Sequence, residues 1–296
     1  MKFYLVCILL PLFFFTSCEN PKTFDGFTYP EGKYKALILS YDDGTIEDLQ
    51  LVDLFNRNGL KGTFNLNSAY LGTVRGWPQE KGDTIFQAYI PRDSLKQIYA
   101  RHEVAAHGAY HKDFINITEN EILAEIQTDL EVLEELTGKK IVSMAYPFGN
   151  ANASVVEVVG STEIIHARTV SDTYGFDLPQ DFLLWHPSCH DSRVLEVAEK
   201  YIQHKEAELS LFYVWGHSWE FNDQKRWTTM TEFCNRIGQE QDIWSAGAGE
   251  YSEYLKALDK VEFIQGSIYN PSEKVTVWAR ISNTIQKLHP GQKIAL

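Results

Sequence analysis

The sequence is poor in cysteine, and the few cysteines it has form no disulfide pattern. Of four in 296 residues, Cys7 and Cys18 belong to the N-terminal apolar segment and its junction, which leaves Cys189 and Cys234 in the rest of the chain. Two cysteines so far apart are more typical of separate buried thiols than of a bridge. A fold held together by a disulfide framework is therefore excluded.

Basic residues are also scarce relative to acidic ones. Lysine and arginine together number 27 against 40 aspartate and glutamate residues, which gives a formal net charge of −13. Binding to a phosphate backbone needs clustered lysine and arginine, so we expect no nucleic-acid partner. Internal repeats and low-complexity segments are absent as well, and nothing in the sequence indicates an oligomeric state.

Long apolar runs are missing except at the N-terminus, where residues 3–15 are apolar. This run is shorter than the about 20 residues that a membrane-spanning helix needs. Lys2 precedes it, and the small residues Thr16 and Ser17 lead to Cys18, as in the cleavage site of a bacterial lipoprotein. We therefore expect an exported protein of the cell envelope, attached to a bacterial membrane only by a lipid on Cys18. An uncleaved anchor or an ordinary signal peptide is the alternative.

From residue 35 onward, short β-branched or aromatic runs alternate with helical patterns. The strand candidates are residues 35–40, 62–67, 103–107, 141–146, 164–170, 209–215, 241–245 and 261–265. This alternation predicts parallel strands joined by helices, and that many strands suit a barrel better than a small open sheet. The clearest helix spans residues 118–138, because Thr118 and Glu121 form a capping-box pattern and Gly138 follows the last turn. Residues 69–91, which contain several glycines, are predicted to form a long functional loop.

Two adjacent carboxylates mark the end of the first strand candidate. Asp42 and Asp43 follow the apolar run of residues 35–40, and parallel α/β folds place their sites at the carboxyl ends of the strands. Gly44 permits a turn that brings both carboxylates into one cleft. Taken alone, the Asp-Asp-Gly motif also fits an ordinary surface turn, so its interpretation depends on the other motifs.

A pair of histidines follows the third strand candidate. His107 and His111 stand four residues apart, a spacing that allows two imidazoles on one helical turn to hold a single ion. An isolated pair of this kind is often no more than two loop residues. Together with a carboxylate at a strand end, however, two imidazoles make up the protein ligands of an open zinc site. The sequence therefore predicts a divalent-metal site.

Two further strand ends carry residues suited to catalysis. His217 follows the strand candidate of residues 209–215 after Gly216, and a histidine at this strand end can protonate a leaving amine or alcohol. Residues 144–150 end another strand with Pro147 and Gly149, which fix a loop whose backbone N–H can serve an oxyanion. A strand followed by a plain turn is the simpler interpretation of the second segment.

Taken in order, these motifs resemble those of the polysaccharide deacetylases, the NodB-homology carbohydrate esterases. The matching segments are Tyr-Asp-Asp-Gly at 41–44, His-Gly-Ala-Tyr-His at 107–111, Tyr-Pro-Phe-Gly at 146–149 and the strand that ends at His217. The resemblance implies an α/β protein with a distorted (β/α) barrel of about seven strands. The expected segments are a signal peptide at 1–17, a tether at 18–34, the deacetylase domain at 35–266 and a small C-terminal β appendage at 267–296.

The resemblance also implies a role for each motif residue. Asp42 is the expected general base, His217 the general acid, and the backbone N–H of Phe148 a donor to the oxyanion. The expected metal ligands are Asp43, His107 and His111, and the expected substrate-contacting residues are Tyr146, Pro147 and Trp219. The ion is expected to be zinc, with cobalt or nickel as alternatives.

One position departs from the family pattern. Ala145 stands where family members often carry an arginine that pairs with the catalytic aspartate. We predict that Arg168, at the end of the next strand candidate, is the partner of Asp42 instead. The alternative is an ordinary strand-end arginine.

Residues 185–190 also differ from the corresponding family motif. His186 and His190 flank a Pro-Ser turn there and are more typical of surface polar residues than of a second metal pair. Trp185 and Trp215 are expected to pack in the core, with a sugar platform as the alternative.

The activity expected from the resemblance is removal of N-acetyl groups from an amino-sugar polysaccharide or oligosaccharide. Two alternatives keep the same metal site: an esterase acting on O-acetylated xylan and an amidohydrolase acting on small amides. A third is a lipoprotein that binds glycans without catalysis. The residues alone support metal-assisted hydrolysis of an acyl bond.

Overall fold

The computed structural model describes residues 22–78, 82, 84–205, 208–222 and 224–296. The expected signal peptide at 1–17 and Cys18 lie outside the described residues. Within those ranges, no helix is both long and apolar enough to cross a bilayer.

The described chain contains strands and helices in an alternating order. The strands are β1 (Phe24–Thr28), β2 (Lys35–Asp43), β3 (Gly62–Leu66), β4 (Val74–Pro78), β5 (Thr84–Ala88), β6 (Glu103–Ala106), β7 (Ser143–Ala145), β8 (His166–Arg168), β9 (Cys189–His190), β10 (Ser210–His217), β11 (Ile243–Ala246), β12 (Glu262–Phe263), β13 (Ser267–Tyr269), β14 (Val277–Ile281), β15 (Thr284–Leu288) and β16 (Lys293–Ala295). The helices are α1 (Asp48–Arg57), α2 (Leu95–Ile98), α3 (Glu119–Thr137), α4 (Ala153–Gly160), α5 (Val194–Gln203), α6 (Gln224–Ile237) and α7 (Ala248–Leu258).

Parallel strands form one curled sheet at the centre of the protein. Seven strands follow one another in the order β8-β7-β6-β3-β2-β10-β9, and β11 pairs with the first half of β2. The segment after β8 continues the curl. Trp185 forms an isolated parallel β-bridge with Arg168, and the Ser188 N–H donates a hydrogen bond to the Tyr213 carbonyl at 2.8 Å. The expected α/β fold with a distorted (β/α) barrel is confirmed.

The two faces of β2 show how the barrel is filled. Successive side chains of a strand point to opposite faces, and Tyr41 on the outer face packs against Phe55 of α1, with ring centroids 5.7 Å apart. On the other face, Ile38 belongs to a buried cluster with Tyr213 of β10 and Tyr251 of α7. The alternation therefore places Asp42 inside the barrel and leaves the outer face of β2 to helix α1.

Helix α3 is bounded as the sequence predicts. The Thr118 side chain accepts a hydrogen bond from the Glu121 N–H, and the Glu121 carboxylate accepts one from the Thr118 N–H at 2.9 Å. Gly138 caps the other end in the left-handed conformation, with φ of 69°. This predicted helix and its two caps are confirmed.

Small antiparallel sheets surround the barrel. Strand β1, in the segment expected to be a tether, pairs with β14, so that it joins the C-terminal β segment in a sheet of order β1-β14-β15. The expectation of a barrel strand at residues 261–265 is wrong. Its strand β12 pairs antiparallel with β13 instead, since a short β-branched run does not specify which sheet it joins.

The segment predicted as a long loop contains a β-hairpin. Strands β4 and β5 pair antiparallel, with Trp77 opposite Ile85 and Arg75 opposite Gln87. The Ala88 carbonyl accepts a hydrogen bond from the Ile46 N–H at 2.8 Å. The hairpin is therefore attached to the barrel just beyond the end of β2.

Candidate active site

The carboxyl ends of β2, β6, β7 and β10 meet at one pocket of about 390 Å³. Its ionisable residues are Asp42, Asp43, His107, His111 and His217, and its other lining residues are Tyr70, Trp77, Ile85, Gln87, Tyr146, Phe148, Gly149, Val170, Trp215 and Trp219. The curl of the sheet brings together the carboxylate pair, the histidine pair and the strand-end histidine, which are far apart in sequence. We call this cavity the active-site pocket.

Asp43, His107 and His111 face one another across a space that fits a metal ion. The Asp43 Oδ1 lies 3.7 Å from the His107 Nε2 and 3.6 Å from the His111 Nε2, and the ligand atoms of all three residues lie within 4.8 Å of one another. One carboxylate oxygen and two imidazole nitrogens are the donors of an open catalytic zinc site. The residues present therefore fit the ion that the sequence predicts.

The imidazole of His107 is fixed in the form that coordinates a metal. Its Nδ1 lies 2.9 Å from the carbonyl oxygen of Ala145, and because a carbonyl only accepts, Nδ1 carries the proton. The lone pair of Nε2 is then directed at Asp43 and His111. Burial lowers the pKa of His111 to about 4, so that the His111 imidazole is neutral near pH 7.

The backbone of the site is strained at three residues that are not glycine. Asp43, His111 and Phe148 have φ values of 78°, 52° and 59°, in the left-handed region that side chains with a Cβ rarely adopt. Each such residue costs roughly 1–3 kcal/mol and persists only where its surroundings hold it. Gly44 continues the turn with φ of 71°, and a Cβ there would lie 2.7 Å from the Leu66 side chain.

Trp219 holds the second oxygen of Asp43. Its indole N–H donates a hydrogen bond to the Asp43 Oδ2 at 2.8 Å, which leaves Oδ1 directed at the two histidines. The Trp219 ring centroid also lies 5.1 Å from that of His217. The sequence predicts that Trp219 contacts substrate, and the structure places it where it orients Asp43 and lines the pocket.

Asp42 is bound by Arg168 inside the barrel. The Arg168 Nη2 lies 2.5 Å from Oδ1 and 2.6 Å from Oδ2 of Asp42, and Asn65 donates to Oδ1 at 2.8 Å. Arg168 is fully buried, and its Nη1 donates to the Thr169 carbonyl at 3.0 Å. Burial by itself raises the pKa of Asp42, but Arg168 and the histidines outweigh it and lower that pKa to about 2. Asp42 is therefore ionised at neutral pH.

His217 lies between Asp42 and a second carboxylate. Its Nε2 is 3.9 Å from the Asp42 Oδ2, and its Nδ1 is 3.2 Å from the Glu220 Oε1. Burial acts to lower the pKa of His217, but the hydrogen bond to Glu220 and the charges of Asp43 and Asp42 outweigh it and raise the pKa to about 9. The imidazole is therefore protonated at neutral pH.

Glu220 is itself held by basic side chains. The Arg226 Nη1 lies 2.8 Å from its Oε2, and the His190 Nε2 lies 3.3 Å from the same oxygen. His190, His217 and Glu220 are close enough to resemble a second metal cluster, but the Arg226 guanidinium already neutralises this carboxylate. Sequence reasoning missed Glu220, and its one signal was its position three residues after His217.

The remaining residues singled out from the sequence take different positions. Tyr146 is buried and its hydroxyl donates to the Leu183 carbonyl at 2.6 Å, while Pro147 is buried in the same loop. The side chain of Phe148 is 57% exposed and its ring lies 4.6 Å from that of His111. Phe148 is thus the residue of this loop that presents its side chain to the pocket mouth.

The histidines and tryptophans that the sequence singles out around residue 186 and at residue 215 have different surroundings. His186 is exposed and bonds through Nδ1 to the Thr169 Oγ1 at 2.7 Å, whereas His190 contacts Glu220. Trp185 is buried in the core, as expected. Trp215 was expected in the core as well. It is instead half-buried and lines the active-site pocket.

Comparison with known proteins supports the family resemblance. Residues 24–165 match the family model of the polysaccharide deacetylases, which confirms the resemblance over the part of the chain that carries the first three motifs. Arg168 and His217 lie beyond the matched residues. A comparison with curated protein sequences gives no match.

One solved structure shares the fold of this chain, and two others are less similar to it. A Mycobacterium smegmatis protein assigned to the polysaccharide deacetylases is 14% identical, with a TM-score of 0.57 over 79% of this chain and 94% of its own. The Xyl-CE4 domain of a multidomain xylanase from the hindgut metagenome of Trinervitermes trinervoides is 16% identical, with a TM-score of 0.49 over 77% of this chain and 95% of its own. The Streptococcus pyogenes deacetylase PplD, solved with acetate, is 15% identical, with a TM-score of 0.42 over 50% of this chain and 61% of its own.

Proposed function

We propose that the protein is a metal-dependent hydrolase that removes N-acetyl groups from an amino-sugar polysaccharide or oligosaccharide. The observation that carries the proposal is the convergence of Asp42, Asp43, His107, His111 and His217 on one pocket. The family match over residues 24–165 supports the class of reaction. We propose zinc as the ion, held by Asp43, His107 and His111, with cobalt and nickel as alternatives that the same donors accept.

When bound, the ion polarises the acetyl carbonyl and lowers the pKa of water. Asp42 accepts a proton from the attacking water, whose oxygen adds to the carbonyl carbon of the acetyl group. Arg168 keeps Asp42 ionised and in place for this transfer, since it contacts both carboxylate oxygens. The backbone N–H of Phe148 donates to the oxyanion that forms at the carbonyl oxygen.

His217 completes the reaction as the general acid. Its raised pKa keeps the imidazole protonated at neutral pH, and it gives this proton to the sugar nitrogen as the carbon–nitrogen bond breaks. Acetate and a free amino sugar leave the pocket. Glu220, bonded to the other ring nitrogen, holds the ring in the orientation that directs Nε2 toward Asp42.

The direct test is acetate release from N-acetylglucosamine oligomers by protein depleted of metal and then reloaded with zinc. We expect release only after reloading, and its loss in the Asp42→Asn variant. Release that is unaffected by chelation would contradict the metal-dependent mechanism. Release only from acetylated xylan, or only from small amides, would instead assign one of the two alternative activities, and sugar binding without turnover would indicate a glycan-binding protein.

We also propose that the protein is exported and held in the cell envelope by a lipid on Cys18. The support comes from the N-terminal sequence, in which an apolar run after Lys2 leads to Thr16, Ser17 and Cys18. Expression of the full chain and of a Cys18→Ala variant in a bacterial host provides the test. The unchanged chain should fractionate with membranes, and the variant should lose that association.

A further inference from the structure

The β4–β5 hairpin forms one wall of the active-site pocket with one of its two faces. Trp77 pairs with Ile85 and Arg75 with Gln87, so these side chains share a face. Trp77, Ile85 and Gln87 all line the pocket. Phe86 alternates to the opposite face, where it is 72% exposed.

The hairpin is fixed to the strand end that carries the two aspartates. The Gly44 carbonyl, directly after Asp43, accepts a hydrogen bond from the Ile90 N–H at 3.0 Å. The Arg75 guanidinium stacks over the Tyr70 ring at 4.0 Å, and the Tyr70 hydroxyl donates to the Tyr110 carbonyl at 2.6 Å. The wall therefore has a defined position relative to the reacting groups.

Residues after three other strands form the remaining walls of the active-site pocket, at whose bottom Asp42 lies. Phe148 and Val170 stand at the ends of β7 and β8, and Trp215 and Trp219 stand at the end of β10. Asp42, on the floor, is only 2% exposed. Three separate parts of the fold therefore supply apolar side chains around the buried Asp42.

We propose that this pocket takes a single N-acetylated sugar at the end of a glycan, stacked on Trp77, and not a unit within a continuous polymer. This inference rests on the proposed deacetylase function and narrows its substrate. An interior unit needs the glycan to continue on both sides of the reacting sugar, and the hairpin, the β7 and β8 ends and the β10 end all line the pocket around that position. Aromatic faces suit the apolar C–H face of a pyranose ring, and Gln87 provides a polar group on the same wall.

Partial deacetylation of the N-acetylglucosamine tetramer, followed by mass-spectrometric location of the free amine, tests the position of attack. We expect one terminal unit to lose acetate at least about tenfold faster than the interior units. The Trp77→Ala variant should raise KM by about tenfold, the factor that 1.4 kcal/mol of stacking represents. The matched control is Phe86→Ala, on the opposite face of the same hairpin, which should leave KM unchanged.

A binding experiment separates failure of this inference from failure of the proposed function. With metal-depleted wild-type protein, calorimetry should give similar affinities for N-acetylglucosamine and its tetramer, and Trp77→Ala should weaken both about tenfold. That result supports the terminal site even if no acetate is released. Preferential attack on interior units, much tighter binding of the tetramer, no sugar binding, or no effect of Trp77→Ala in a folded protein would each overturn the inference.

Discussion

Asp42 and Arg168 touch across the barrel although three strands separate the strands that carry them. The Arg168 Nη2 lies 2.5 Å and 2.6 Å from the two oxygens of Asp42, while β3, β6 and β7 lie between β2 and β8 in the sheet. Neighbouring strands are about 4.8 Å apart, so a flat sheet would hold β2 and β8 about 19 Å apart. The curl of the sheet is therefore what brings the Arg168 cation to the buried Asp42 carboxylate.

The first prediction concerns this buried pair. Arg168→Met removes the partner of a carboxylate that is almost fully enclosed, and breaking such a pair costs about 3–5 kcal/mol of unfolding free energy. The Arg168→Met/Asp42→Asn double variant should recover part of that loss, because the remaining side chain is then neutral. Urea unfolding of the four members of this cycle provides the measurement. Strictly additive losses would show that the two side chains are not coupled.

The second prediction concerns His217, the proposed general acid, and Glu220, which bonds to its Nδ1. His217→Asn should lower kcat for acetate release by about 10²–10⁴, the usual contribution of a positioned acid. Glu220→Gln should lower kcat less and leave KM nearly unchanged, and it should have no further effect in the His217→Asn background, since residues that act as a unit are not additive.

The control for this pair is Glu196→Gln. Glu196, on helix α5, forms an exposed ion pair with Arg193, and neither residue lines the active-site pocket. We expect wild-type kinetics from it. An equal loss of kcat in Glu196→Gln would assign the effect of Glu220→Gln to general stability and not to the orientation of His217.

The third prediction concerns the metal ligands. Zinc at about 100 times its Kd should stabilise the folded protein by about 2.7 kcal/mol, because an ion that binds only the folded state shifts the unfolding equilibrium. The shift should appear as a higher Tm and should vanish in His107→Ala. His186→Ala removes an exposed histidine that bonds to Thr169 instead, and it should keep the full zinc-dependent shift. Loss of the shift in both variants would argue against the assigned site.

The fourth prediction concerns the orientation of Asp43. Trp219→Phe keeps an aromatic ring but removes the N–H that holds the Asp43 Oδ2. Loss of such a supporting hydrogen bond typically lowers metal affinity by about 10–100-fold, which competition with a zinc-binding dye measures. Trp215→Phe is the matched control, since its indole N–H donates to Asp172 and not to a metal ligand. Equal zinc affinities in the two variants would contradict this role.

Local signals in the sequence were sufficient for much of the fold. The capping pattern at Thr118 and the glycine at 138 fixed both ends of α3, and the apolar run before Asp42 located β2. These features depend on residues within a few positions of one another. The same is true of the His107 and His111 pair, whose spacing is visible in the chain.

Features that depend on the curl of the sheet or on distant packing were harder to predict. The β4–β5 hairpin was predicted only as a loop, because Gly76 and Pro78 interrupt the alternation that marks a strand. Glu220 follows a strand end in a short turn, and nothing local indicates that Arg226 and His190 contact it. Strand β12 lies in a short run that contains β-branched residues, but nothing in that run indicates its antiparallel pairing with β13.

The left-handed conformations of Asp43 and His111 tie the proposed metal site to the folded state. These φ values are held by the folded surroundings, and the three proposed ligands come from segments that an unfolded chain keeps far apart. An unfolded chain therefore presents no such arrangement of donors, and we expect the ion to be released when the protein unfolds.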